Sequence, residues 1–290
     1  MTKELKSTII SLFGGMTMKN LQNLHTHSTY CDGKDTPVEM IESAIAQGFE
    51  SLGFSGHSYT FYSTASYPIT TLEKTEAYKK EISELKEKYA GKIDLFLGLE
   101  FDMYSGVDLS GYDYLIGACH YLKMGEKYVA FDRSAEFVHN VIETEFSGDG
   151  MAFSNEYYAQ LATLPEYGDF DIIGHFDIHT KNIEIERFFD VDSKEYLKSA
   201  TDAMDALRGK IPFFEVNTGA ISRGYRTTPY PSLPLLRELK ARGFGAIISS
   251  DCHDARHLKT GFDQARELLI EAGFREKYIL TKDGFTAVEL

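Results

Sequence analysis

The chain has 290 residues, 43% of them hydrophobic and 26% charged, ordinary proportions for a folded protein with one large core or two smaller ones. A formal net charge of −14 argues against extended nucleic acid as a partner, but it leaves a small anionic substrate open, because metal ions can invert the local charge. Three cysteines make no disulfide framework and fit a reducing cytoplasm, and no apolar run reaches the roughly 18 residues of a membrane helix.

Residues 1 to about 20 read as an N-terminal extension. Their apolar patch, Ile9 to Phe13, is too short for a secretory signal, and Met16 and Met18 lie just ahead of the fold. Residues 21–290 read as a single domain in which short apolar runs alternate with helical patterns, the mark of βα units and a parallel sheet. The first run is Leu21 to Leu24. A helix starts at Thr36-Pro37, an N-cap with proline at the first helical position, and stops at Gly48. The second run, Ser51 to Ser55, leads to a charged helix over about Leu72 to Tyr89, with Gly91 after it. The third run is Ile93 to Leu99 and the fourth Tyr114 to Cys119. Tyr121 to Phe131 reads as a hairpin turning near Gly125, and helices are expected at about 134–145 and 153–163. The fifth run, Phe170 to Gly174, precedes a helix at about 193–208. The sixth, Pro212 to Asn217, precedes one from Leu233 to Arg242 that ends at Gly243. The seventh, Gly245 to Ser250, precedes a helix at about 258–272, and Tyr278 to Leu280 is a short closing run. Seven strands with intervening helices predict an α/β fold, a TIM-like (β/α)7 barrel with one unit missing or distorted. Such a barrel carries its chemistry on the loops after the strand C-termini.

Metal-ligand residue types fall at those positions. His25 and His27 follow the first run, with Asp32 close behind; His57 follows the second, Glu100 the third, His120 the fourth and His175 the fifth. Glu215 and Asn217 stand on the sixth, and Asp251 and His253 follow the seventh. Of nine histidines, His139, His179 and His257 alone lie elsewhere. Residues i and i+2 of a strand point to the same side, so each H-x-H or D-x-H pair can reach one ion. Imidazole with carboxylate suits zinc, manganese or iron better than calcium. Any one of these histidines could equally be structural, but a barrel mouth lined only by such imidazoles would leave them without partners. Cys31, Cys119 and Cys252 each precede a candidate ligand. Strand alternation points such neighbours away from the site, as small buried apolar residues, and Cys31 lies in a loop where that rule is weakest.

The segments NLHTHSTYCDG, SLGFSGHS, LGLE, IGACHYL, DIIGHFD, EVNTGAISRG and ISSDCHD together resemble the polymerase and histidinol phosphatase (PHP) family of metal-dependent phosphoesterases, nearest its histidinol-phosphatase branch, over about residues 20 to 275. The resemblance implies a distorted seven-stranded barrel and two or three divalent ions. His25, His27, Glu100 and Asp251 would hold the first. Glu100 would bridge to the second, held also by His120 and His175. Asp32, His57 and His253 would hold the third. Where many histidinol phosphatases have glutamate before the second-strand histidine, this chain has Gly56.

From that resemblance follows an expected reaction: hydrolysis of L-histidinol phosphate to L-histidinol and phosphate, a step of histidine biosynthesis in the cytoplasm. A hydroxide bridging two ions would attack phosphorus. Arg223 is the leading cation for the phosphate, with Ser222 and Asn217 as hydrogen-bonding neighbours and Lys181 and Arg226 as further candidates against surface roles. Asp251 is a candidate general acid for the leaving alcohol, as is a metal-held water. Asp177 and Glu215 could orient imidazoles, Glu215 could instead meet the substrate amine, and Tyr121 could pack on His120. The alternatives are a PHP phosphoesterase for nucleotides, oligonucleotide ends or phosphotyrosine, and a non-enzymatic, metal-dependent domain that binds a partner or serves a larger polymerase. The oligomeric state is left open by the sequence.

Overall fold

A computed structural model describes residues 20–62, 68–69 and 71–290. The expected N-terminal extension, Asn20 apart, lies outside the described residues. Strands β1 (Gln22–Asn23) and β2 (Ser51–Phe54) are followed by helices α1 (Pro37–Ala46) and α2 (Leu72–Lys88), in alternation. Next come β3 (Asp94–Asp102), β4 (Tyr114–Ala118), a hairpin of β5 (Tyr121–Met124) and β6 (Lys127–Ala130), and helices α3 (Ala135–Glu145) and α4 (Gly150–Leu161). After β7 (Ile172–Ile173) come α5 (Lys194–Leu207), β8 (Phe213–Asn217) and the short α6 (Gly219–Ser222). Then α7 (Leu233–Ala241), β9 (Gly245–Ser249) and α8 (Phe262–Ala272) lead to a second hairpin, β10 (Glu276–Thr281) and β11 (Gly284–Glu289).

Seven strands form one parallel sheet in the order β1-β2-β3-β4-β7-β8-β9. Just beyond β1 and β9 the edges meet: His27 N donates to Cys252 O at 2.8 Å and Cys252 N to His25 O at 3.0 Å. The sheet is thus a nearly closed barrel, as the alternation of runs predicts.

Side-chain caps fix where the helices start, by accepting from N–H groups that have no partner in the first turn. Thr36 and Glu39 make a reciprocal capping box on α1. Thr71, Ser134, Asp149 and Ser193 cap α2, α3, α4 and α5. The Asp149 cap is why α4 begins at Gly150 rather than near residue 153. Helix α8 begins at Phe262 rather than near 258, because a 3-10 turn at Ala255–His257 and Gly261 at φ 79° come first.

Inside the barrel, Leu24, Phe96, Tyr114, Ile116, Ile172 and Ile247 are buried together with Leu280 from β10. The Tyr114 ring lies against the backbone of two neighbouring strands, where a Cβ at Gly98 would fall 2.2 Å from its Cζ and one at Gly53 2.3 Å from its hydroxyl. Glycine at both positions is what admits the ring. The run at Tyr278 to Leu280 does not join the barrel sheet. It pairs with β11, and the hairpin covers the N-terminal end of the barrel: the Gln22 amide donates to Leu280 O and accepts from Leu280 N, at 2.8 and 2.7 Å.

Candidate metal centre

The opposite, C-terminal end of the barrel gathers the ligand types. Alternation on the extension of β1 aims His25 and His27 inward, while Thr26 between them turns back to donate to Gly53 O at 2.6 Å. Strand β3 runs on to Asp102, past the expected end at Leu99, and so delivers two carboxylates, Glu100 and Asp102. His57, His120 and His175 stand just beyond β2, β4 and β7, and Asp251 and His253 just beyond β9. Asp251 has φ 45°, a left-handed backbone that aspartate tolerates better than most residues. All these ligand-type side chains are buried except Asp32 and His253, whose side chains are 34% and 20% exposed.

Three groupings share Glu100 and His27 as joints. In the first, His25 Nε2 lies 3.3 Å from Glu100 Oε2, and His27 Nε2 lies 3.2 Å from Asp251 Oδ1 and 3.6 Å from Glu100 Oε2. In the second, Glu100 Oε1 lies 2.8 Å from His175 Nε2 and 3.3 Å from His120 Nε2. In the third, Asp32 Oδ1 lies 3.2 Å from His253 Nε2, 3.7 Å from His57 Nε2 and 3.9 Å from His27 Nδ1. His57 also turns its Nδ1 to Glu100 Oε2 at 2.7 Å, a contact the assignment by resemblance does not contain.

Carboxylates behind the histidines set which ring nitrogen faces inward. Glu215 accepts from His25 Nδ1 at 2.9 Å, leaving Nε2 for the cluster. It also accepts from His175 N and the Asn217 amide, at 2.6 and 2.8 Å, and from the Ser249 hydroxyl. Buried and fully engaged, it does not reach a substrate amine. Asn217 is corrected likewise: it is fully buried, its amide joins Glu215 to the N–H of Gly219, and it does not line the cavity. Asp177 orients no imidazole. It is buried beside Arg226, and burial pushes its carboxyl up to about 6. The residue that does orient His120 is Asp102, whose Oδ2 meets His120 Nδ1 at 3.1 Å and whose Oδ1 takes the Tyr62 hydroxyl at 2.6 Å. Sequence reasoning misses both. A signal for Asp102 is present, since Glu100 and Asp102 repeat the i, i+2 pattern of His25 and His27.

The donor set fits divalent cations. The inward atoms His25 Nε2 and His27 Nε2 are buried without a hydrogen-bond partner, 3.3 and 3.6 Å from Glu100 Oε2. Buried polar atoms rarely stay unmatched; a cation shared with Glu100 would give both imidazole nitrogens a partner. Burial disfavours charge on Glu100, yet His57, His25 and His120 outweigh it and hold its carboxyl well below the usual range. Against the same burial, Arg223 and His25 keep Asp251 ionised. Burial, with His253 and His57 nearby, lowers His27 to about 3 and keeps it neutral, as a ligand must be.

Above the cluster opens a cavity of about 470 Å³. Arg223 stands at its edge, donating to Asp251 O at 3.0 Å and to Asp251 Oδ2 at 2.8 Å, with Ser222 beside it in the wall. Lys181 is not on the surface. It is 6% exposed, lines the cavity, pairs with Asp132 and lies 4.9 Å over the Tyr225 ring. The Arg226 side chain is buried rather than on the surface and does not line the cavity: its guanidinium donates to Thr180 at 2.9 Å, and its Nε lies 3.8 Å from Glu184. Tyr121 lines the cavity next to His120. Cys119 and Cys252 point away, onto the carbonyls of Tyr121 and Asp254. Cys31 Sγ lies 3.4 Å from His27 Nδ1, but burial raises its thiol to about 12, so it stays protonated. Of the remaining histidines, His139 pairs with Glu186 on the surface and His179 stacks on Tyr157 in the core. His257 is on the cavity rim.

The sequence matches the PHP domain over residues 23–219. The chain belongs to the PHP domain family. Relatives of this PHP protein include the probable histidinol-phosphatase of Deinococcus radiodurans, 28% identical over 271 residues that make up 89% of this chain and 96% of that protein. The histidinol-phosphatase of Bacillus subtilis is 24% identical over 254 residues, 80% of this chain and 92% of the relative. Among solved structures, the hisK protein of Listeria monocytogenes superposes with a TM-score of 0.72 at 17% identity, covering 83% of this chain and 98% of that one. The histidinol phosphate phosphatase of Lactococcus lactis, complexed with zinc, L-histidinol and phosphate, gives 0.68 at 19% identity, with 92% and 99% covered. Both share the barrel fold. Among the described residues no helix is long and apolar enough to cross a membrane.

Proposed function

We propose that this PHP protein is a metal-dependent phosphomonoesterase that hydrolyses L-histidinol phosphate to L-histidinol and phosphate, in the cytoplasm and within histidine biosynthesis. The observation that carries the reading is the set of buried, mutually facing ligand atoms at the floor of a cavity whose walls hold Arg223 and Lys181. The names of the curated relatives support the substrate. In this reading His25, His27, Glu100 and Asp251 would hold a first ion, Glu100, His120 and His175 a second, and Asp32, His57 and His253 a third. Zinc, manganese or iron suits these donors. Residues 21–290 act as one catalytic unit.

Divalent ions held there would acidify water and neutralise phosphate charge. The protein's own residues do the rest. Arg223 and Lys181 offer cationic donors to the phosphate oxygens, and the Ser222 hydroxyl lies beside them. Arg223 is held ready by its two bonds to Asp251. Asp251 starts ionised, so it cannot begin as a general acid. In this reading Asp251 could serve the leaving group only after a water on the leaving-group side of the cavity has protonated it, and it would then pass that proton to the alkoxide oxygen as the P–O bond breaks.

Phosphate release from L-histidinol phosphate, AMP and phosphotyrosine by the metal-loaded protein tests the reading. Histidinol phosphate should be preferred; a preference for AMP or phosphotyrosine refutes the substrate, and no release from any ester with zinc, manganese or iron refutes the enzyme. Glu100→Gln should lower activity by more than the ~10–100-fold that loss of an outer partner costs, with metal content reduced on elemental analysis. Full activity at full metal content would remove Glu100 from the proposed ligand set.

A further inference from the structure

Five carboxylates line the cavity: Asp32, Glu100, Asp132, Asp251 and Asp254. Glu100, Asp251 and Asp32 face the histidine groups. Asp254 is tied down at the rim, by Arg256 Nε at 2.8 Å and NH2 at 2.6 Å and by Lys34 at 3.3 Å. Asp132, just past β6, is different. Its side chain is 30% exposed, and its Oδ1 takes the Lys181 ammonium. Burial opposes its charge, but Lys181, His120 and Arg223 hold its carboxyl down at about 2, so it meets a substrate as an anion. Lys181 has a second contact, the face of Tyr225, which it keeps if Asp132 takes another cation.

An amino-alcohol phosphate bears its ammonium on the carbon next to the ester carbon. That ammonium therefore lies close to the phosphate, where Arg223, Lys181 and the ligand cluster are all cationic or cation-binding. A lone ammonium there needs an anion that no metal group and no rim arginine occupies. We infer that Asp132 is the specificity-determining residue, accepting the ammonium of an amino-alcohol phosphate and so separating it from neutral phosphomonoesters. This rests on the histidinol-phosphate reading and deepens it.

The test compares kcat/KM for L-histidinol phosphate with that for 4-nitrophenyl phosphate. Asp132→Asn, nearly isosteric, should lower the ratio about tenfold to a hundredfold, as loss of a charged hydrogen bond in a recognition pocket does. Lys181→Met should slow both esters and leave the ratio alone. On the wild-type enzyme, 3-(imidazol-4-yl)propyl phosphate, which lacks only the amine, should lose a similar factor, so the inference is tested even if the variant folds poorly. If Asp132→Asn slows both esters equally, or if the deaminated ester is turned over as well as the amine, Asp132 merely holds Lys181 and the inference is overturned. A wild-type enzyme with no preference for L-histidinol phosphate overturns the functional reading and this inference together. A wild-type preference that survives in Asp132→Asn overturns this inference alone.

Discussion

Tyr62 donates to Asp102 at 2.6 Å, Asp102 meets His120 Nδ1 at 3.1 Å, and His120 Nε2 then faces Glu100 at 3.3 Å. The Tyr62 ring stacks on Tyr128 of β6 at 4.2 Å between centroids. The loop after β2 and the hairpin after β4 thus jointly fix one imidazole. Removing the hydroxyl, as in Tyr62→Phe, should loosen Asp102 and weaken metal binding about tenfold in competition with a chelator, the lower end of what an outer partner contributes. The metal-free melting temperature should move by only a few degrees. Superimposable chelator curves for variant and wild type would mean that Asp102 needs no support from Tyr62. The ligand types themselves are legible because histidine and carboxylate recur at strand ends. Asp102 is not, because the third apolar run ends at Leu99, before the charged continuation of β3. Lys181 stays open between the phosphate and the surface in the sequence because spacing alone does not reveal that the turn at 178–180 brings it to the cavity wall.

At the scale of elements, the existence of helices and strands is legible but their ends are less so. Caps such as Thr36 and Ser193 are local chemistry and mark helix starts in the sequence. Strand ends depend on partners. The apolar runs at Leu21 to Leu24 and Phe170 to Gly174 shrink to pairs, Gln22–Asn23 and Ile172–Ile173, because ladder pairing stops before hydrophobicity does. Nor does the sequence show that a ring crosses the barrel at β3. Tyr114, fully buried, donates its hydroxyl to Leu24 O and lies against Gly98. Gly98→Ala should therefore cost about 1–3 kcal/mol in urea unfolding, as overpacking of a tight core does. Because β3 carries Glu100 two residues further on, metal affinity should fall along with stability. An alanine variant as stable as wild type would show that the Tyr114 ring can move aside.

Across the whole molecule the barrel has a chemical end and a closed end. Strand-end histidines announce the first. Nothing local announces the second, since Tyr278 to Leu280 looks like one more barrel strand and its partner β11 buries none of its side chains fully. The hairpin carries a buried lysine into that closed end: Lys277 is 3% exposed and donates to Asn20 O at 3.0 Å. Burial lowers its ammonium from 10.5 to about 8, with Glu50 opposing the change only in part. Between those two values the unfolded chain binds the proton and the folded chain does not, so stability rises with pH across the window; below about 8 the cost of the buried charge is fully present. Lys277→Met has no such proton. Relative to that variant, the wild-type protein should gain roughly 1–3 kcal/mol between pH 7 and pH 10 in urea unfolding, since each tenfold difference in proton affinity is worth ~1.4 kcal/mol. The comparison cancels the buried tyrosines, which both proteins share. Parallel stability curves for the two proteins would mean that the hairpin end admits water to Lys277, and that the barrel is sealed by Leu280 and Gln22 alone.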